Sequence, residues 1–273
     1  MPIQSSGGAM AHVLRSGHGP QEALVLHCML AQARALEQLM AKLAADLSML
    51  AMDLPGHGLS EDWDTSRDYS EMSCDMAAGL LERPAHLIGH SFGAYIALRI
   101  AVERPELVRS LTLIEPVFFA AAKYSDPSAL KAYKRESNAF MGAMAVGDTV
   151  TAARAFTAEW GDGRSWESLK PDAMSYITDR MRLVAATTPE LIEDRPMVWD
   201  KLSQIDMPCL LIEGEASAPI VASILDALET QSRDARRVQI AGAGHMSPMS
   251  HAVEVAEAIS EFIAAQPLSA EIS

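Results

Sequence analysis

The sequence has few of the residues that would indicate a disulfide-stapled or metal-binding protein. Only three of its 273 residues are cysteines, Cys28, Cys74 and Cys209, and no two of them form a CxxC pair. Cysteines this few and this scattered predict neither a disulfide framework nor a zinc site. We therefore expect no bound metal and no other cofactor.

Basic residues are also scarce, because 22 lysines and arginines face 36 aspartates and glutamates, for a formal net charge of −14. A surface of this charge repels nucleic acid and anionic membranes, so neither is expected as a partner. A small neutral or apolar molecule is the partner that this composition favours, and a homo-oligomer is left open.

Long apolar runs are missing as well, and no stretch of the sequence is apolar for the length needed to span a bilayer. The first ten residues, MPIQSSGGAM, lack the basic start and the apolar run of a secretion signal. From these two features we predict a cytoplasmic protein.

Short apolar runs alternate with helical patterns, which is typical of a mostly parallel sheet flanked by helices. The first two predicted strands, 11–17 and 22–28, are expected to pair through the GHGP turn between them. Residues 117–204 interrupt the strand rhythm, and their helical pattern predicts a cap inserted between two strands. The predicted strands are 11–17, 22–28, 47–53, 85–90, 110–115, 209–214 and 236–242. The predicted helices are 32–45, 72–81, 92–103, 220–228 and 253–264.

The segment Gly89-His90-Ser91-Phe92-Gly93 matches the pattern GxSxG at a predicted strand-to-helix corner. A tight corner of this kind strains the backbone at the serine, and its glycines give the clearance that the crossing chain requires. It also lifts the serine hydroxyl away from the sheet. We predict that Ser91 is a nucleophile, rather than an idle serine in a packing turn.

A serine needs an imidazole within hydrogen-bond reach to become reactive. His245 is the best placed of eight histidines, because it lies between the last predicted strand and the last predicted helix, at the same sheet edge as Ser91. Asp53, His57 and Ser60 are interpreted instead as parts of a turn, in which Asp53 satisfies backbone donors.

Taken together, these motifs resemble those of the α/β-hydrolase superfamily over nearly the whole chain. The resemblance implies an α/β-hydrolase fold with a core of residues 1–116 and 205–273, a helical cap of residues 117–204, and a serine hydrolase activity. The segments that carry the resemblance are LVLHC (24–28), DLPGHGLS (53–60), LIGHSFGA (87–94), EPV (115–117) and GAGHMSP (242–248).

The sequence departs from the superfamily pattern at the acid of the catalytic triad. Members commonly place Asp in a GxxD frame after the penultimate strand, where this chain reads Gly214-Glu215-Ala216-Ser217. Any carboxylate that reaches the imidazole can perform the same role. Glu115, after the strand that follows the nucleophile helix, is the first candidate. Glu215, Glu213, a cap residue and no acid at all stay open as alternatives.

A second departure lies in the loop after the first long strand, which reads His27-Cys28-Met29 where members usually have His-Gly. The resemblance implies that the backbone N–H groups of Met29 and Phe92 form the oxyanion hole. Cys28 is interpreted as a small buried residue and not as a nucleophile.

The resulting hypothesis is a serine hydrolase that acts on small esters or lactones with apolar acyl parts, through an acyl-enzyme on Ser91 and with His245 as the base. Hydrolysis of a carbon–carbon bond or of a thioester is an alternative on the same fold. A non-catalytic receptor for a small molecule is a third, because the usual Asp is missing.

Overall fold

In the computed structural model, which describes residues 3–266, eight strands form one sheet in the order β1-β2-β4-β3-β5-β6-β7-β8. The strands are Ile3–Ser6 (β1), Ala9–Ser16 (β2), Gln21–Leu26 (β3), Leu47–Met52 (β4), Ala85–His90 (β5), Val108–Ile114 (β6), Cys209–Gly214 (β7) and Ala235–Ile240 (β8). β2 runs antiparallel to β1 and β4, and the remaining neighbours are parallel. The prediction of a mostly parallel sheet is confirmed.

Helices cover both faces of this sheet. They are Glu37–Leu43 (α1), Tyr69–Ala78 (α2), Phe92–Glu103 (α3), Ala122–Ser125 (α4), Pro127–Glu136 (α5), Asn138–Ala145 (α6), Thr149–Trp160 (α7), Pro171–Glu193 (α8), Val198–Lys201 (α9), Pro219–Gln231 (α10), Ser247–Ser250 (α11) and Ala252–Ala264 (α12). No helix within residues 3–266 is long and apolar enough to cross a membrane.

Alternate residues of the central strands enter two hydrophobic cores, one on each face of the sheet. In β3, Leu24 and Leu26 belong to the core that also contains residues of α2, α3 and α10, whereas Ala23 and Val25 belong to the core that contains residues of α1 and α12. This division follows from the two-residue period of a strand. A strand buried on both faces is apolar throughout, which explains why the inner strands were recognisable as unbroken apolar runs.

The predicted pairing of the first two long strands is wrong, because β4 lies between β2 and β3. Gly17 and Gly19 pass so close to the start of β4 that an added Cβ would lie 2.0 Å from Leu47 O and 2.0 Å from Asp46 C respectively. The GHGP segment therefore crosses the start of β4 instead of closing a hairpin. β1 was also missed, since its four residues lack an apolar alternation.

Residues 117–204, called the helical insertion below, lie between β6 and β7 and contain α4 to α9. Its longest helix, α8, is tied to α3, the helix that follows Ser91, by buried polar groups. Tyr95 Oη donates to Glu190 Oε1 at 2.6 Å, and Arg99 Nη1 donates to the same oxygen at 3.2 Å. Both partners of the Arg99–Glu190 pair are almost fully buried, so the contact fixes α8 against α3.

Replacing Glu190 with alanine is expected to lower the free energy of unfolding by about 3 kcal/mol, because it leaves the buried Tyr95 phenol without its acceptor and removes one of the two carboxylates paired with the buried Arg99, which keeps Glu103. Urea denaturation followed by circular dichroism measures the change. Glu193→Ala, on the same helix but at an exposed surface pair with Arg195, is the control and should change stability by less than about 0.5 kcal/mol. Equal effects of the two substitutions would contradict this account of the link.

Candidate active site

Ser91 lies at the sharp turn between β5 and α3. Its backbone has φ 56° and ψ −115°, a left-handed conformation that is uncommon for a residue other than glycine. An added Cβ on Gly89 would lie 2.3 Å from Gly93 O, and one on Gly93 would lie 2.4 Å from Leu26 O. The two glycines of the motif are therefore required by close backbone contacts, and the turn presents the Ser91 side chain beyond the end of the sheet.

His245 follows β8 and reaches Ser91 from the far end of the sequence. Its Nε2 lies 3.0 Å from Ser91 Oγ, and its Nδ1 lies 3.2 Å from Glu115 Oε2. All three residues are buried. With the proton on Nδ1, the ring donates to Glu115 and accepts from the serine hydroxyl, which is the arrangement that general-base activation requires. The structure thus brings together the three side chains that were predicted to form the triad.

Glu115 is held in place by contacts of its second carboxylate oxygen. Oε1 accepts hydrogen bonds from Gly214 N at 2.5 Å and from Ser217 Oγ at 2.6 Å. The residue follows β6 directly, with φ 52°, and it is fully buried. These contacts, two on Oε1 and one on Oε2, fix the orientation of the carboxylate toward the His245 ring.

The two other candidate acids have different partners. Glu215 Oε2 accepts from Gly242 N at 2.8 Å at an exposed position. Glu213 is buried but forms an ion pair of 2.8 Å with Arg237. Of the carboxylates in the described residues, Glu115 is the one that the structure places on the His245 ring.

His90 also contributes to the site. Its position next to Ser91 was visible in the sequence, but its contact with His245 was not. Its Nε2 donates to the backbone oxygen of His245 at 2.8 Å, and the two rings lie 5.2 Å apart. Burial lowers the pKa of His90 to about 3, so this ring stays neutral. It can therefore hold the His245 backbone without adding a positive charge beside the imidazole.

Two imidazoles fix the loop that carries Met29. His27 Nε2 accepts from Leu54 N at 2.9 Å, and His57 Nε2 accepts from Leu30 N at 3.0 Å. Burial lowers the pKa of both rings, which keeps them neutral acceptors. Met29 lies beside Ser91 in the cavity wall, and Phe92 is the first residue of α3, where N–H groups have no acceptor within the helix. Met29 and Phe92 are thus both neighbours of Ser91, one in the cavity wall and the other along the chain.

The remaining polar residues near the loop have structural contacts. Asp53 Oδ1 accepts from Ala33 N at 2.7 Å, and Asp53 Oδ2 accepts from Leu59 N at 3.0 Å. Burial raises the pKa of the Cys28 thiol to about 12, so it stays protonated. These observations agree with the interpretation of Asp53 as a turn residue and of Cys28 as a buried side chain. Within the described part of the chain, no group of three His, Cys, Asp or Glu residues could hold a metal ion.

A cavity of about 190 Å³ opens beside Ser91 and His245. The helical insertion forms one of its walls, through Trp160 of α7, the segment that follows α7, and Ile177 of α8. The Trp160 ring packs edge-on against the His245 ring at 4.7 Å. The cavity therefore gives a small molecule access to the serine between the sheet edge and the insertion.

The family model of the "Alpha/beta hydrolase family" matches residues 23–258. The chain belongs to this family. The match spans β3 to α12, so it includes the serine turn, Glu115, the helical insertion and the His245 loop. The prediction of a hydrolase of this superfamily is confirmed at the level of family and fold.

Curated relatives of this hydrolase include two kinds of enzyme. A pimeloyl-acyl-carrier protein methyl ester esterase of Xanthomonas oryzae is 27% identical over 266 residues, which cover 94% of this chain and 100% of the relative. A 2-(acetamidomethylene)succinate hydrolase of Mesorhizobium japonicum is 26% identical, over 88% of this chain and 86% of the relative.

Solved structures agree on the fold. The enol-lactonase of Burkholderia xenovorans LB400 has a TM-score of 0.69 at 21% identity and covers 96% of this chain and 100% of its own. A Bacillus megaterium epoxide hydrolase has a TM-score of 0.73 at 17% identity, with 96% and 100% covered. At these identities the likeness establishes the α/β-hydrolase fold alone.

Ser217 stands at the position where the resemblance in the sequence analysis implies an Asp, and its hydroxyl donates to the Glu115 carboxylate. Ser217→Ala is expected to lower kcat about tenfold with little change in KM, because a hydrogen bond to a charged group contributes about 1.5–3 kcal/mol and orients the carboxylate toward the imidazole. Steady-state ester hydrolysis measures the loss. Ser217→Thr retains the hydroxyl and should recover most of the rate; an equally inactive Thr variant would argue against the role of this contact.

Proposed function

We propose that this alpha/beta hydrolase cleaves small esters or lactones with apolar acyl parts, with Ser91 as nucleophile, His245 as general base and Glu115 as the triad acid. The observation that carries the proposal is the 3.0 Å distance between Ser91 Oγ and His245 Nε2, continued to the Glu115 carboxylate at 3.2 Å. The relative named as a methyl ester esterase supports the choice of an ester.

In the first step, His245 Nε2 takes the Ser91 proton while Oγ attacks the carbonyl carbon. The N–H groups of Met29 and Phe92 donate to the oxygen that becomes negative. The imidazolium, held by Glu115, then gives its proton to the leaving alcohol as the bond between carbon and the alkoxy oxygen breaks. Water, deprotonated by the same imidazole, then attacks the acyl carbon. The bond from this carbon to Ser91 Oγ breaks, the imidazolium returns its proton to Oγ, and the acid is released.

The helical insertion, residues 117–204, is proposed to act as a cap over this reaction. Trp160, Phe156 and Ile177 place apolar surface opposite Ser91. Excluding water from the serine strengthens the electrostatic interactions of the oxyanion and the imidazolium. The acidic protein surface and the apolar wall together favour a neutral, small-molecule substrate.

A substrate panel tests the proposal. Purified protein is given a p-nitrophenyl ester, a lactone, an acyl thioester and a β-diketone, and product is measured under the same conditions. We expect the oxygen esters or the lactone to have the highest kcat/KM. Selective cleavage of the thioester or the diketone would replace the proposed reaction with one of the alternatives on this fold. Binding without turnover of any compound would indicate a receptor.

A further inference from the structure

The cavity at Ser91 has two parts that differ in access. The outer pocket, described above, includes the exposed side chains of Asp162 and Arg164 at its mouth. The inner pocket, of about 40 Å³, shares Met29, Ser91, Phe156 and Trp160 with the outer pocket, and among the described residues every one that lines it is buried except Phe156. Ser91 lines both parts, so a substrate bound at the serine extends into each.

The inner pocket is apolar and small. Its wall includes Val117, Phe119, Val184 and Leu191, and no charged side chain lines it within the part of the chain that the structure describes. The hydroxyls of two threonines in its wall donate to Val184 O of their own helix, at 3.0 and 2.7 Å. The pocket therefore offers contact to an apolar group and no cation to an acidic one.

Ser91 and Met29 line both pockets, whereas two other residues of the proposed mechanism line only one each. His245 lines the outer pocket but not the inner one, and Phe92 lines the inner pocket but not the outer one. In the proposed mechanism the imidazole donates its proton to the leaving oxygen, so the leaving group must lie on the His245 side. The acyl chain then extends past the Phe92 side of Ser91.

Resting on the proposed function, we infer that the inner pocket binds the acyl chain and the outer pocket binds the leaving alcohol. The substrate class is an ester of a short apolar acid with a larger alcohol. A single water needs about 10–15 Å³ measured as water-sized space, so the inner pocket of about 40 Å³ holds a group of a few heavy atoms. An acetyl to butyryl chain fills it, whereas a longer chain has to displace buried side chains.

Two substrate series test the assignment on the unmodified protein. In the first, p-nitrophenyl esters from acetate to decanoate keep the leaving group constant. We expect kcat/KM to be highest at two to four carbons and at least about tenfold lower at eight. In the second, acetate esters of alcohols from methanol to hexanol should show kcat/KM that rises or stays level. A preference for octanoate over acetate, or a steep loss along the alcohol series, would overturn the assignment.

A matched pair of variants locates the two pockets. Leu191→Ala enlarges the inner pocket and is expected to move the optimal acyl length up by at least two carbons. Leu169→Ala makes the same change in the outer pocket and should leave the acyl optimum unchanged. A shift with Leu169→Ala and none with Leu191→Ala would reverse the two pockets.

The two proposals fail in different ways in these experiments. A protein that hydrolyses no ester in either series fails the proposed function. A protein that hydrolyses esters with the opposite length preference keeps the proposed function and loses only the pocket assignment. Because the wild-type series carries the main comparison, loss of folding in a variant does not remove the test, and circular dichroism identifies such a variant.

Discussion

Ser91→Ala is expected to lower the kcat for ester hydrolysis by about 10⁵ or more, to near the background rate, because no other group in the cavity can take the place of an activated nucleophile. The folded state should be retained, because the substitution removes one oxygen atom and the folded chain already holds a side-chain-bearing residue at this positive φ of 56°. Initial rates with a p-nitrophenyl ester, measured against a buffer blank, give the loss directly. Ser250→Ala, an exposed serine near His245, is the control and should keep the wild-type rate.

His245→Ala gives the companion result. The serine and the imidazole act as one unit, so the double variant with Ser91→Ala should be no slower than either single variant. Losses that multiply in the double variant would mean that the two residues act independently. Retained turnover in Ser91→Ala would remove the serine from the mechanism.

The second large effect is expected at Glu115. Glu115→Gln removes the charge that stabilises imidazolium and permits the wrong imidazole tautomer, while its side chain keeps nearly the same shape. Loss of the corresponding carboxylate in a serine triad reduces kcat about 10⁴-fold, and we expect a loss of about 10³ to 10⁴ here. Steady-state kinetics on the same ester measure it, and KM should change little because Glu115 does not line the cavity.

Glu215→Gln and Glu213→Gln are the matched controls for this experiment. Glu215 contacts Gly242 N and Glu213 pairs with Arg237, so the activity of both variants should stay within a few-fold of wild type. Glu213→Gln breaks a buried ion pair and is expected to lower stability instead. A large loss of kcat at either position, together with an active Glu115→Gln, would move the acid of the triad to that residue.

The parts of the site that were predictable from sequence are those that depend on local patterns. The apolar run before Ser91, the glycines around it and the helical run after it gave the bounds of α3, Phe92–Glu103, as the structure has them. His245 was recognisable because it follows the last strand at the same sheet edge. The local order of strand, turn and helix determines where each of these side chains emerges.

Contacts between distant segments were not predictable in the same way. The hydrogen bond from Ser217 to Glu115 joins residues 102 positions apart, and its one signal in the sequence was a serine where the resemblance implies an Asp. The division of the cavity depends on how α7 and α8 pack over the sheet, which composition and periodicity do not determine. The predicted pairing of strands 11–17 and 22–28 was wrong for the same reason. The sequence of a connecting segment does not reveal that another strand, here β4, lies between the two strands that it connects.

Labelling with a fluorophosphonate tests the central claim, that Ser91 is an activated nucleophile, most directly. The probe reacts with a serine hydroxyl that an imidazole deprotonates, and intact-mass spectrometry counts the adducts. We predict one adduct per chain, located at Ser91 by peptide mapping, absent in Ser91→Ala and formed much more slowly in His245→Ala. A chain that stays unlabelled at Ser91, or that is labelled at the same rate without His245, would contradict the account.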